Sequence, residues 1–153
     1  MAEARSRPGD VDLADAVRYR HWKDHVLRFA DLDPAGHVNN VAFAEIFEAG
    51  RVAFGIDAGS RTLAPGTTTM VVRMTIDYLA QLPFPGAVRV GTRVLGFGRS
   101  SCRLGQALFA DGRCVATSDA VSVLVDLETN RSTPMPDALR HAYQALSDGR
   151  AMV

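Results

Sequence analysis

The segment from Val41 to Phe54 constrains this chain most. Only Glu45, Glu48 and Arg51 are charged within it, and the rest is Val, Ala, Phe, Ile and Gly. Spaced by three, those charges lie along one narrow stripe of a helix and leave apolar residues around most of its circumference. Such a helix needs cover on most sides and reads as a core element. Asn39 or Asn40 can supply its N-cap, and Gly55 a C-terminal stop.

The cover follows in the chain. From about Thr67 to Leu127 the sequence reads as β-structure broken by short turns. Val71, Val72, Met74, Ile76 and Tyr78 form one strand, and Leu82-Pro83-Phe84-Pro85-Gly86 is a connection that no strand interior tolerates. Val88, Val90, Thr92 and Val94 then alternate with Arg89, Gly91 and Arg93. A third strand puts Cys102, Leu104 and Leu108 on one face, and a fourth does so with Val115, Val121, Val123, Val125 and Leu127. A further strand is expected within Tyr19 to Ala30, ahead of the turn-rich Asp31 to Gly36. A short amphipathic helix from Asp137 through Leu146 follows Pro134 and Pro136.

If Asp111-Gly112 is a two-residue hairpin turn, facing residues sum to 223, so Leu108 faces Val115 and Cys102 faces Val121. That register places Cys102 and Cys114 on opposite faces, against a disulfide. It also sets Asp119 beside Leu104, where a bulge or a functional reason is needed.

Strand, buried helix and four antiparallel strands imply an α+β layer in which the sheet curls around the helix. With 153 residues, 47% hydrophobic and 22% charged, the chain can bury one core. The expected division is a flexible lead-in over 1–18, one domain over 19–147 and a tail over 148–153. Basic and acidic residues balance at 17 each, which excludes a surface built as a polycation for nucleic acid. No stretch is long and apolar enough for a membrane helix, and Met1 to Asp10 lacks the apolar core of a signal peptide. A cytoplasmic protein without a membrane partner is expected. Cys102 and Cys114 lack CxxC spacing and read as buried thiols.

Phosphate-loop, dinucleotide, nucleophile-elbow, zincin and EF-hand signatures are all absent. What remains is Asp31-Leu32-Asp33-Pro34-Ala35-Gly36-His37-Val38-Asn39-Asn40, a polar cluster leading straight into the buried helix. A helix N-terminus offers unsatisfied N–H groups and partial positive charge, so it can polarise an acyl carbonyl, while a carboxylate just upstream can attack or activate water. The plainer alternative makes Asp33-Pro34 a turn, Asn39 and Asn40 caps, and His37 a hydrogen-bonded filler.

The residues from Leu27 to Asn40, with Phe43 and Phe47-Glu48-Ala49-Gly50-Arg51, resemble the hotdog-fold acyl-CoA thioesterases of the 4-hydroxybenzoyl-CoA thioesterase type. Asp77-Tyr78-Leu79, Gly98-Arg99-Ser100-Ser101 and Val125-Asp126-Leu127 extend the resemblance over about residues 20 to 140. It implies an antiparallel sheet wrapped around one long helix. It also implies hydrolysis of an acyl-CoA, with coenzyme A entering as part of the substrate and no separate cofactor. Asp33 takes the place of the catalytic carboxylate, and the amide near Asn40 that of the carbonyl polariser. His37 and Asn39 are placed to orient water or substrate. The resemblance further implies active sites at a subunit interface, in a homodimer or homotetramer. An acyl carrier protein thioesterase and a non-catalytic acyl-CoA-binding hotdog protein are the alternatives.

Neighbouring residues have simpler roles. Asp31 anchors the loop, Glu48 and Arg51 make a helix-face ion pair, and Glu45 is a structural acid. His21, His25 and His37 are not held together by any spacing, so no metal is expected. Between Asp77 and Asp111 there is no acid, yet Arg89, Arg93, Arg99 and Arg103 lie there. A turn near Gly98 would make Arg93 and Arg103 cross-strand neighbours, unfavourable unless an anion sits between them. The phosphates of coenzyme A suit that patch, and Arg99-Ser100-Ser101 resembles the turn that the family uses near the nucleotide. An arginine-rich surface explains the same residues. Phe43, Phe47, Phe54 and Phe84 suit either an apolar lining or the core.

Overall fold

The computed structural model describes residues 11–150, so the expectations for the first ten residues and for 151–153 lie outside the described residues. The elements are β1 (His21–Val26), α1 (Asn40–Asp57), α2 (Ser60–Leu63), β2 (Thr67–Tyr78), β3 (Ala87–Phe97), β4 (Ser101–Ala110), β5 (Arg113–Asp126), β6 (Arg131–Ser132) and α3 (Asp137–Asp148). The sheet is antiparallel in the order β1-β3-β4-β5-β2, with β6 on β5. It curls around α1 as the hotdog resemblance implies.

Burial on α1 divides the core into two ends. Phe43, Ile46 and Phe47 pack with Val88, Val90, Leu108 and Ala116 near the helix N-terminus. Phe54 packs with Val94, Cys102, Leu104 and Leu124, where Leu139 and Tyr143 of α3 close the core. Full cover of α1 is not supplied by this chain: Val41, Val52 and Ile56 are more than half exposed, beside Glu45 and Glu48.

Several local expectations are corrected. β1 is shorter than Tyr19 to Ala30, because the chain leaves the sheet after Val26 and makes a 3-10 turn at Phe29–Asp31. Helix α1 runs through Gly55 to Asp57, and the chain reverses at Gly59, whose φ of 75° suits glycine. Gly55 instead lets α3 approach: a Cβ there would lie 3.2 Å from the Tyr143 hydroxyl. Helix α3 continues past Leu146 to Asp148 and is closed by left-handed Gly149.

The hairpin register of 223 holds only beside the turn, for Ala110 with Arg113 and Phe109 with Cys114. A bulge after Leu108 then shifts every pair, so Leu108 faces Ala116 and Cys102 faces Ser122. The shift turns Ala116, Ala120, Ser122 and Leu124 inward, with Val121 and Val123 only partly covered between them. Asp119 now lies opposite Gly105 and forms an ion pair with Arg103, so the bulge removes the clash with Leu104. A second bulge between Val94 and Gly96 pairs Arg93 with Gly105 and Arg103 with Gly96, which separates the two arginines.

Cys102 is buried beneath α1, whereas Cys114 is half-buried in a separate cluster with Tyr19, Trp22, Phe109 and Ala107. Within the lead-in, residues 11–18 approach the same region: the Tyr19 hydroxyl donates to the Leu13 carbonyl at 2.8 Å.

Candidate active site

Between β1 and α1 the chain folds on itself, and the charged residue buried there is Asp31, only 3% exposed. The Arg28 backbone N–H donates to Asp31 Oδ2 at 2.7 Å, and the Arg28 guanidinium donates to Oδ1 from Nε and Nη2 at 3.0 and 2.6 Å. Burial works to raise the Asp31 pKa, but these bonds and the arginine charge outweigh it and hold the carboxyl below its ordinary value. The Asp31 carbonyl accepts the Asn39 N–H at 2.8 Å, and Leu32 bridges Val38, closing the loop. Arg28 also reaches Glu45 at 3.1 Å, so both acids are structural partners of one arginine.

Inside that frame Asp33 is fixed by backbone. Its N–H donates to the His37 carbonyl at 2.8 Å, and its Oδ1 accepts the N–H groups of Ala35 and His37 at 2.9 and 3.0 Å. Gly36, at φ 79°, makes the reversal possible. Oδ2 has no hydrogen-bond donor among the described residues and is free for a ligand. Asn39 is the N-cap, its side chain accepting the Val41 N–H at 2.9 Å. The next amide, that of Asn40, has no acceptor among the described residues and sits at the positive end of an 18-residue helix.

Asp33, His37 and Asn40 line one cleft of about 350 Å³, together with Val38, Phe43, Tyr78, Ala80, Gln81 and Leu82. Asp33, the first residue of the helix and an apolar wall therefore border the same space. Tyr78 escaped the sequence reading of the site. Its hydroxyl donates to the Asn40 carbonyl at 3.2 Å, and its ring meets Phe43 edge to face at 5.2 Å. The available signal was a tyrosine ending a strand that must return to the helix N-terminus. Of the four phenylalanines, only Phe43 lines the cleft; Phe47 and Phe54 are core, and Phe84 packs on Phe29 at the surface. Asn39 is absent from the lining, its side chain being engaged in the cap.

A family model described as the thioesterase-like superfamily matches residues 27–143. The chain belongs to that superfamily. A solved Thermus thermophilus thioesterase, complexed with coenzyme A and Zn, is 36% identical, with a TM-score of 0.76 over 88% of this chain and 98% of that one. An Agrobacterium fabrum L-carnitine dehydrogenase/betainyl-CoA thioesterase is 31% identical over 76% of this chain, which spans 25% of that longer protein. A Synechococcus elongatus 1,4-dihydroxy-2-naphthoyl-CoA hydrolase is 26% identical over 80% of this chain and 94% of its own length.

In this superfamily member the remaining candidates lie away from Asp33. Arg93, Arg99, Ser100, Ser101 and Arg103 sit on the distal halves of β3 and β4 and their connecting turn, near the end of the core that holds Phe54. Arg103 pairs with Asp119, and Arg89 pairs with Asp24 while covering the Trp22 ring. Arg99 offers its carbonyl to the N–H of Met135 and to Arg140. The expected patch of adjacent arginines is thus partly neutralised and dispersed, because the two bulges change which residues face each other. His21 bonds to Asp57 at 2.8 Å and His25 lies 4.0 Å from Asp31. No group of three metal-ligating side chains occurs among the described residues. No helix there is long and apolar enough to cross a membrane.

The expected Glu48–Arg51 ion pair does not form. Arg51 turns inward and donates to Gln106 Oε1 at 2.9 Å, because Gln106 is buried under the helix and needs a donor.

Proposed function

We propose that the protein hydrolyses an acyl-CoA thioester to the free acid and coenzyme A, in the manner of the 4-hydroxybenzoyl-CoA type that its motif resembles. The observation that carries this reading is the shared cleft of Asp33 and the Asn40 amide. A thioester carbonyl accepting the Asn40 N–H is polarised by the helix terminus, and the negative charge that develops on its oxygen is stabilised there. Asp33, held through Oδ1, presents Oδ2 either to the carbonyl carbon or to a water whose proton it takes. The carbon–sulfur bond then breaks and the thiolate of coenzyme A leaves; where Asp33 has attacked directly, water then hydrolyses the acyl–Asp33 anhydride to release the acid and restore the carboxylate. His37, on the cleft wall, is placed to orient water or the thioester.

The working unit in this reading is at least a homodimer, with a tetramer as the larger form. Among the described residues β2 is an edge strand paired only with β5, and Met70, Val71 and Val72 are exposed along it beside the uncovered side of α1. Long apolar edges call for a partner. Antiparallel pairing of two β2 strands about a two-fold axis sets the Thr67 end of one against the Tyr78 end of the other. The Arg99-Ser100-Ser101 turn is tied to Leu124, which pairs with Thr69, so it lies at the Thr67 end. Each turn then approaches the partner's Asp33 cleft, where it can meet coenzyme A phosphates with Arg93 and Arg103 nearby.

The test is thiol release from a panel of acyl-CoA and acyl carrier protein esters. Asp33→Asn keeps an acceptor for the Ala35 and His37 amides and should melt within a few degrees of wild type. Its turnover should fall by about 10²-fold or more. Full activity in that variant would sink the assignment. Preference for the carrier-protein donor, or binding without turnover, would select one of the two alternatives.

A further inference from the structure

A second cavity, of about 300 Å³, lies between α1 and the sheet and shares no lining residue with the Asp33 cleft. Arg51 is its most constrained polar group. Gln106 Nε2 donates to the Phe47 carbonyl and to Thr92 Oγ1 at 3.0 Å each, which leaves its Oε1 to accept from Arg51 Nη1 at 2.9 Å. Met74 Sδ lies 3.4 Å from the same nitrogen. The guanidinium is thereby held at the cavity wall, and its other N–H groups have no acceptor among the described residues. Glu48 stands at the exposed rim beyond ion-pair distance and acts on the half-buried guanidinium only through its charge.

Two hydroxyls line the same space. Ser122 on β5 is 5% exposed and Tyr143 on α3 is 3% exposed, and neither hydroxyl has a hydrogen-bond partner among the described residues. Both oxygens are open to the cavity rather than sealed from solvent, so the oxygens of a ligand can reach them. A guanidinium fork and two hydroxyl donors in one recess match the oxygens of a carboxylate, and Val52, Met70 and Leu104 provide an apolar wall for what the carboxylate is attached to.

We propose that this cavity binds the carboxylate of a small organic acid with an apolar body. The carboxylate has two possible sources: a free acid, or the far end of an acyl chain whose thioester sits in the Asp33 cleft. Both spaces open on the seam between α1 and β2, where Tyr78 meets Asn40 and Met74 meets Arg51. Arg51 stands about 16 Å beyond Asn40 along the helix, at 1.5 Å per residue. The second source rests on the thioesterase reading; the first does not.

Calorimetric titration with decanoate, and with decanol as a control, tests the site directly. Wild type and Asp33→Asn should bind decanoate and not decanol. Arg51→Gln should weaken binding by about tenfold or more, as expected for a lost charge-assisted bond. Tyr143→Phe, which keeps the ring packed on Phe54, should weaken it by a smaller factor. Comparing decanoyl-CoA with its ω-carboxyl counterpart, sebacoyl-CoA, separates the sources. A lower KM for sebacoyl-CoA than for decanoyl-CoA that Arg51→Gln abolishes assigns the site to the acyl chain end. Decanoate binding with equal KM values assigns it to a free acid. Decanoate binding through Arg51 in a protein that releases no thiol supports the site and overturns the thioesterase reading instead. The proposal is overturned if wild type neither binds decanoate nor favours sebacoyl-CoA, or if binding is indifferent to both variants.

Discussion

Replacing Asp31 by asparagine probes how the loop holds the Asp33 carboxylate in place, without touching the cleft itself. The substitution keeps the shape and one acceptor oxygen, but removes the charge that gathers three N–H donors of Arg28. Charge-assisted bonds contribute about 1.5–3 kcal/mol each when buried. The Arg28 side chain is 59% exposed and retains Glu45 as a partner, so the loss reduces to about 2 kcal/mol. For a chain of this length that is a fall in Tm of about 4–8 °C. The activity loss should exceed the stability loss, because the Asp31 carbonyl also fixes Asn39 and a shift of ~1 Å at the reacting groups can cost about 10²-fold. The Asp31 carboxyl is depressed below its ordinary value, so its stabilisation is present above an unfolded pKa of about 3.9 and is lost as pH falls through the lower folded pKa. The stability gap between wild type and Asp31→Asn should therefore persist down to about pH 5 and close below about pH 4. Thermal melts across pH with parallel thiol-release assays read both effects. A variant that melts with wild type at neutral pH and turns over normally would refute the anchoring role.

Other substitutions and probes check separate parts of the structure. Gly50→Ala would put a Cβ 2.7 Å from Val90 Cγ1 and 2.9 Å from Gln106 Nε2, both locked in the core, so urea denaturation should show a net loss of about 1–2 kcal/mol despite the better helix former. A gain in stability would refute the close approach of α1 to the sheet. Asn39→Ala removes the α1 cap and should cost about 1 kcal/mol in the same measurement, whereas Asn39→Asp should cost much less. Burial pushes the Cys102 thiol up to about 12 and the Cys114 thiol up to about 11. With a disulfide reagent near neutral pH, Cys114 should react slowly and Cys102 only after denaturation; two fast thiols in the native protein would contradict both placements.

Much of the site was readable because its residues are contiguous. Asp31 to Asn40 forms its own turn, cap and anchor through bonds between neighbours, so the polar pattern carries most of the geometry within itself. Tyr78 was not readable in the same way, since it reaches Asn40 only when β2 has folded back along α1. The expected pairing of Arg93 with Arg103 was misread for a related reason. Alternation along one strand says which residues share a face, but one extra residue at a bulge changes every pairing beyond it, and two bulges redirected Arg103 to Gly96 and Asp119. Arg51 left its expected helical neighbour Glu48 because the buried Gln106, far along the chain, offers a stronger demand for a donor.

Apolar periodicity, capping residues and turn chemistry act over a few residues, and so the amino-acid sequence by itself determined the order of strands and helix, the α+β class and the loop that carries Asp33. Register past the bulges, the half-open side of α1 and the cavity at Arg51 were decided only in the tertiary structure. They depend on side chains distant in sequence competing for the same space and the same hydrogen bonds, and that competition has no local signature.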